Sequence, residues 1–375
     1  MQSAPRLLRL EVERLRNLEA VALDVAPGVS VVHGRNGHGK TSLLEAVYLL
    51  ATGRSFRTRR IEEMVNRGGG PLRVAGTVRK PGHEARLGVV VDGAVRRLVV
   101  DGTERGLEGY LGHLPVVAIA GRLARVLREA PEERRRFLDR GVASLEPSFL
   151  GTLAEYRRSL AHRNALLRSF SGRDDPARRA EMAVWDERLT SAAAPVHRKR
   201  REYALRLGAR LGEAARVLFF EGERLTLGYR PSPSEAGRRP AVAFEETYRE
   251  ALERQRRRDM AFGFTTEGPH RDEFVAELDG IDLRRYGSSG QVRAAMIALS
   301  LGKIGLVREA RGEAPLVLVD DFDSDLDEAR TDAFASCLRA EGLQALVATS
   351  REAVANGLGD AFRKVRVNAG RVADT

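Results

Sequence analysis

Apolar and polar residues alternate from Leu8 to Arg16, a period of two that predicts a strand. A β-branched run, Val29-Ser30-Val31-Val32, then enters a glycine-punctuated loop, and the apolar run Leu43 to Leu50 predicts a helix from about Thr41 to Leu50. Ala51-Thr52-Gly53-Arg54 closes that helix with a glycine and a basic turn. Three short β-rich runs lie between Leu72 and Val100, separated by Pro81-Gly82 and Asp92-Gly93, with Asp101-Gly102 after the last. Such dipeptides between alternating strands predict an antiparallel meander. Val116 to Ala120 reads as a buried strand. From Arg122 the texture becomes long helical periodicity, with breaks expected near Ser171–Pro176, Pro195 and Arg230–Pro240; Pro231 to Gly237 has the composition of a mobile loop. Strand signals return at Glu273–Leu278, Leu316–Asp320, Ala345–Ala348 and Val365–Val367, with a long apolar helix predicted over Val292–Val307. The pattern is that of an α/β head, residues 1–121 and 259–375, interrupted by a helical lobe, residues 122–258. No internal repeat and no sustained heptad run is present.

Composition sharpens this picture in two places. Hydrophobic residues make up 43% of the 375, enough for a full core, and the single cysteine, Cys337, excludes disulfides within the chain and cysteine-rich zinc sites. Cys337 falls in an apolar helical stretch and is expected to be a buried, inert thiol. The N-terminus lacks the plan of a signal peptide and no apolar run approaches a membrane span, so a cytoplasmic protein without a membrane partner is expected. The net charge of +11 is unevenly spread: +6 over residues 1–121, +11 over 122–258 and −6 over 259–375. A basic segment on the middle lobe suggests a polyanionic partner such as DNA, although arginine-faced helices alone would give the same count.

The chemistry-bearing residues cluster in four motifs. Gly34-Arg35-Asn36-Gly37-His38-Gly39-Lys40-Thr41-Ser42 completes the phosphate-loop pattern between a predicted strand and a predicted helix. Its glycines let backbone N–H groups turn toward phosphate, Lys40 reaches the β- and γ-phosphates, and the Thr41 hydroxyl suits Mg²⁺; ATP and Mg²⁺ are the expected cofactors. Leu316-Val317-Leu318-Val319 leads into Asp320 and Asp321. There Asp320 is expected to hold Mg²⁺ with Thr41, and Asp321 to orient or deprotonate an attacking water. Ser288-Ser289-Gly290-Gln291 opens the long apolar helix. It is a capping box by composition, and it also matches the S-G-G-Q signature of ABC-type ATPases, which acts on the γ-phosphate bound by the other subunit. Ser324-Asp325-Leu326-Asp327 fits the D-loop of that class. His270, in Gly268-Pro269-His270-Arg271-Asp272, has no metal partner at a useful spacing, and Arg271 with Asp272 suggests an ion pair. This segment is a site of unassigned role, expected to join the lobes near the nucleotide.

Taken together these pieces resemble the RecF family of bacterial recombination mediators. The likeness rests on Leu15-Arg16-Asn17, the run Gly37 to Ala46 continuing into Ala51 to Thr58, Glu133 to Asp139, Gly268 to Asp272, and the motifs at Ser288–Gln291 and Asp320–Asp327. The resemblance implies an ABC-type P-loop ATPase head without the long coiled coil of SMC proteins. It further implies ATP-dependent homodimerisation, slow DNA-stimulated ATP hydrolysis, DNA binding through the backbone, and partnership with RecR and RecO in loading RecA at gaps. Asp321 stands where many ABC ATPases have Glu, and Ser289 replaces a signature glycine. The alternative, the ATPase subunit of a membrane transporter, usually carries a His after the strand that follows the two aspartates. Here Thr349-Ser350 follows that strand and no His occurs beyond His270.

Overall fold

The alternation at the N-terminus becomes strand β1 (Arg6–Leu15), with every second or third side chain buried, and it pairs antiparallel with β2 (Leu18–Asp24). In the computed structural model, residues 5–120, 126–169, 176–216, 218–219, 222–234, 243–321, 328–340, 342–352 and 362–374 are described. The meander follows as β4 (Leu72–Lys80), β5 (His83–Asp92), β6 (Val95–Val100) and the short β7 (Thr103–Glu104). Two-residue turns join them at Pro81-Gly82, Gly93-Ala94 and Asp101-Gly102, and at the last both Asp101 and Gly102 have positive φ, the geometry that matches strand twist. These strands form one six-stranded sheet in the order β2-β1-β4-β5-β6-β7.

A second six-stranded sheet collects the apolar runs that are scattered through the sequence. Its order is β15-β14-β3-β13-β12-β8, from β3 (Val29–His33), β8 (Val116–Ile119), β12 (Leu316–Val319), β13 (Ala345–Thr349), β14 (Arg363–Asn368) and β15 (Arg371–Asp374). All pairings are parallel except β14 with β15. Parallel strands covered on both faces must be apolar throughout, and β3, β12 and β13 are buried at every position. Helix α1 (Lys40–Thr52) contacts strands of both sheets, so it is buried nearly all round rather than along one stripe. Gln344 joins the two sheets: its amide accepts from Leu7 N at 2.9 Å and donates to the carbonyls of Leu7 and Ala26, both at 2.8 Å.

The chain divides into two compact units, residues 1–125, 210–225 and 285–375 in one, and 126–209 and 226–284 in the other. This division differs from the expected one, which gave 122–258 to the helical lobe: residues 210–225 fall with the unit that holds the two large sheets, and residues 259–284 fall with the helical unit. The reason is a small sheet: β10 (Glu273–Leu278) sits between β9 (Leu225–Arg230) and β11 (Ile281–Asp282), which keeps that stretch with the second unit. Strand β9 was hidden by its neighbours, a glycine-bearing six-residue run between helical segments. A short helix α2 (Leu107–Tyr110) follows β7, and a short α7 (Leu283–Tyr286) follows β11; the second unit otherwise holds α3 (Pro131–Leu145), α4 (Phe149–Arg168), most of α5 (Pro176–Ala215) and α6 (Phe244–Phe262). No break occurs at Pro195, which lies inside α5. A proline removes one helical hydrogen bond, and burial of Ala194, Val196 and His197 around it outweighs that loss. Of the expected loop Pro231–Gly237, residues 235–237 lie outside the described residues, and the expected D-loop, Ser324–Asp327, lies outside them too.

Helix α8 (Ser289–Arg311) starts at the capping box, with Ser288 as its N-cap, and it corrects one expectation: by length and composition it is apolar enough to cross a membrane. Yet 72% of its most apolar window is buried inside the protein, and it contacts β8, so it is a core helix. Cys337, on α9 (Glu328–Ala340), is half-buried rather than enclosed.

Candidate nucleotide site

The phosphate loop leaves the C-terminal end of β3, and Asp320 leaves the C-terminal end of β12, with only β13 between the two strands. Parallel strands thus bring their carboxyl ends to one edge, where ligands of open α/β sheets sit. The loop is seated by close backbone approach. A Cβ on Gly34 would lie 2.2 Å from the Val367 carbonyl oxygen, so no side chain fits there. Gly39 is the N-cap of α1, at φ 115° in the left-handed region, and offers the first turn no side-chain cap; a helix N-terminus of this kind suits an anion.

The sequence-nominated residues divide by what the fold does with them. Lys40 is buried, its Nζ donating to the carbonyls of Gly34 at 2.6 Å and Arg35 at 3.1 Å, so the ammonium lies across the loop. Thr41 Oγ1 donates to Asp320 Oδ1 at 2.9 Å, across 279 residues of sequence. Ser42 Oγ donates to Asn17 Oδ1 at 2.8 Å. Arg35, Asn36 and Gly37 are exposed on the loop, and the His38 carbonyl accepts from Gly370 N at 2.9 Å. Ser288 caps α8: its Oγ accepts from Gln291 N at 3.1 Å while its own N donates to Gln291 Oε1 at 2.9 Å. Ser288 and Ser289 are exposed, and Gly290 and Gln291 half-exposed, at that helix start.

Asp320 is electrostatically poised. Desolvation, with the neighbouring Asp321 carboxylate, pushes it up to about 6, against the pull of the Thr41 hydroxyl, Arg57 and Arg293. A buried carboxylate beside a hydroxyl oxygen is a donor set that fits Mg²⁺, a hard cation that takes few protein ligands and leaves other positions to phosphate and water. Asp321 is exposed and holds φ 52°, a conformation that non-glycine residues adopt at a cost. Arg293 is buried in α8 and donates to the carbonyls of Asp320 at 3.2 Å and Asp321 at 2.9 Å, which fixes this turn. The signal for Arg293 is a charge among apolar residues near the start of the run Val292–Val307; its partner is not readable from the sequence.

Asn17 is the second missed positioning residue. It accepts from Ser42 Oγ and donates through Nδ2 to the Gly37 carbonyl at 2.9 Å, joining the first hairpin to the loop. Its neighbour Arg16 pairs with Glu45, which is fully buried in α1 and also accepts from Ser55 and lies 3.6 Å from Arg57. Thus Leu15–Asn17, Glu45 and Ser55–Arg57, far apart in sequence, form one ionic cluster behind the loop.

Among the described residues, the Gly268–Asp272 segment makes its side-chain hydrogen bonds within its own unit. His270 Nδ1 lies 2.7 Å from the Tyr156 hydroxyl and Nε2 lies 2.9 Å from the Thr265 carbonyl. Desolvation pushes the imidazole down to about 4, the Thr265 carbonyl opposing and Arg271, Arg135 and Arg200 adding to it, so it is neutral at physiological pH. Asp272 pairs with buried Arg200 at 2.9 Å and accepts from Tyr229 at 2.6 Å; Arg271 instead lies over the Phe264 ring. The expected Arg271–Asp272 pair is therefore replaced by Arg200–Asp272. Asp139 takes the other side of Arg200 at 2.8 Å, and Arg134 takes Glu273 at 2.7 Å, so Glu133–Asp139 and Gly268–Asp272 build one core.

A family model described as an AAA domain matches residues 9–80. The DNA replication and repair protein RecF of Myxococcus xanthus (strain DK1622) is 35% identical over 355 residues, covering 94% of this chain and 92% of that protein. RecF of Anaeromyxobacter sp. (strain K) is 37% identical over 369 residues, 96% and 97% of the two chains. Among solved structures, the recombination mediator protein RecF with ATP, of the RecFOR pathway, superposes with a TM-score of 0.89 at 26% identity, covering 100% of this chain and 99% of that one. An Smc head domain from Pyrococcus furiosus gives a TM-score of 0.56 at 16% identity over 99% and 96%, a likeness of fold.

Proposed function

Because the chain belongs to the RecF family of DNA replication and repair proteins, we propose that it is a slow, DNA-stimulated ATPase that works as a switch on DNA. In this reading ATP closes two copies into a homodimer, and the closed dimer grips DNA through its phosphates and helps RecR and RecO load RecA at gaps in the cytoplasm. The observation that carries it is the Thr41–Asp320 hydrogen bond of 2.9 Å, beside Lys40 at the glycine-capped start of α1. Thr41 and Asp320 would hold Mg²⁺, which when bound supplies positive charge to the phosphates. Lys40 would bind and orient the β- and γ-phosphates. Asp321, exposed and fixed through its backbone by Arg293, would accept a proton from water, and a short side chain there suits slow turnover. Ser288, Ser289, Gly290 and Gln291, with Ser324 to Asp327, would complete the site of the other copy. The transporter alternative is not favoured by the relatives, which are repair proteins along nearly the whole chain.

The test is DNA affinity against salt, with and without ATP. Wild type is expected to bind more tightly with ATP, and its affinity to fall with a log–log slope of about −0.9 per phosphate neutralised. Ser288→Arg sets a bulky cation at the signature and is expected to bind ATP normally while losing the ATP-dependent gain. Equal, ATP-independent DNA affinity for both proteins would sink the switch.

A further inference from the structure

An aromatic patch on the second unit is unused by the nucleotide site. Helix α6 ends at Gly263, left-handed at φ 69°, and the N–H groups of Gly263 and Phe264 both return to the Asp259 carbonyl. That turn leaves Phe262 54% and Phe264 38% exposed, their rings stacked at 5.6 Å with planes 14° apart. A guanidinium lies over each ring, Arg258 at 5.5 Å from Phe262 and Arg271 at 5.4 Å from Phe264.

The patch stands on a rigid base. Thr265, next in the chain, is buried and donates to Asn164 at 2.7 Å, and its hydroxyl accepts from Arg163 at 2.8 Å. Arg163 is fully buried and also binds Asp186 and Asp259, each at 2.7 Å. These contacts engage the nearby carboxylates: Asp259 and Asp186 face Arg163, and Glu267 accepts from Gln255 at 3.2 Å. What faces solvent is a pair of stacked rings, each with an arginine guanidinium over it.

From this geometry we infer that Phe262 and Phe264 form a stacking platform for an unpaired base of DNA, with Arg258 and Arg271 taking the flanking phosphates. A ring face accepts any base, and a guanidinium resting on an exposed ring can yield its place to a base and turn to a phosphate. Two rings are far too small for a protein partner, which needs about 800 Å² on each side. The surplus positive charge suits a polyanion. Bases inside a duplex are stacked on each other and closed to the platform, so it distinguishes a gap or a single strand from paired DNA. The inference rests on the reading that this chain works on DNA.

The experiment compares the full-length protein with Phe262→Ala/Phe264→Ala, Phe264→Leu and Phe264→Trp, on a blunt duplex, a gapped duplex and a thymidine 20-mer. A 2-aminopurine placed in the gap reports stacking by quenching. The double alanine variant is expected to lose about tenfold in affinity for gapped and single-stranded DNA, with loss of the quench and unchanged duplex and ATP binding. Phe264→Leu is expected to lose the quench, and Phe264→Trp to keep it. Unchanged gapped binding, an equal loss on the duplex, or a leucine variant as good as wild type would overturn the platform while leaving DNA binding intact. A change of oligomeric state in the alanine variant would reassign the patch to self-association and overturn it too. Wild type that binds none of the three DNAs would overturn both this inference and the functional reading beneath it.

Discussion

At the scale of residues, the site keeps a charge that the fold alone disfavours. Asp320 has its carboxyl raised to about 6 by burial and by Asp321. A carboxyl raised in the folded state binds protons more tightly there than in the unfolded chain. Stability is therefore greatest with the acid protonated and falls as pH climbs from about 4 to about 6. Above that window the penalty is complete, on the order of 2–3 kcal/mol for a shift of this size. Asn in place of Asp keeps an acceptor for Thr41 Oγ1, at 2.9 Å in the native protein, and removes the charge. The expected outcome is that Asp320→Asn, free of nucleotide and metal, melts several degrees higher than wild type at pH 7.5, with the gap closing toward pH 4. The same variant is expected to lose Mg²⁺-dependent ATP turnover. Calorimetry across pH checks the first part, and an equal or lower melting temperature at pH 7.5 would show that burial of Asp320 carries no such cost.

At the scale of elements, local propensity and packing sometimes point in opposite directions, and that is where the sequence stopped being readable. Gly141 lies inside α3, where Ala would raise helix propensity by about 1 kcal/mol. A Cβ at that position would sit 2.2 Å from Tyr203 Cζ and 2.4 Å from its hydroxyl oxygen, on a fully buried ring of α5. The glycine marks where the two helices touch. Gly141→Ala is accordingly expected to destabilise the protein by about 1–3 kcal/mol, read as a lower urea midpoint. A stabilised variant would mean that propensity wins. The strands of the head were legible because alternation and two-residue turns are local signals, and the phosphate loop because its glycines, Lys40 and Thr41 are contiguous. Pro195 misled for the converse reason: the local rule says break, and the buried residues on either side hold α5 together. The partners Arg293–Asp321, Asn17–Gly37 and Arg200–Asp272 stand 28, 20 and 72 residues apart, and no periodicity encodes such pairs.

At the scale of the whole molecule, each copy carries +11, so two copies approach one another against their own charge. Closure then needs a source of attraction, which ATP between a phosphate loop and the partner's signature would supply, and it is helped by whatever screens or neutralises the charge. Asp321→Asn separates closure from its undoing. The amide is isosteric, Arg293 holds residue 321 by its carbonyl rather than its side chain, and Asp320 and Thr41 are untouched. ATP binding is expected to persist while hydrolysis falls at least tenfold, because the group placed to take a proton from water is gone. The variant with ATP is then expected to accumulate as a long-lived dimer in light scattering. Without DNA, dimer formation should strengthen between 20 mM and 200 mM salt, as screening relieves repulsion between the two copies. With DNA present that trend should reverse, since salt then weakens the phosphate contacts that gather the copies. A variant that turns over ATP at the wild-type rate would remove Asp321 from the role of base. A variant that traps ATP and stays monomeric at every salt concentration would show that nucleotide does not close the dimer.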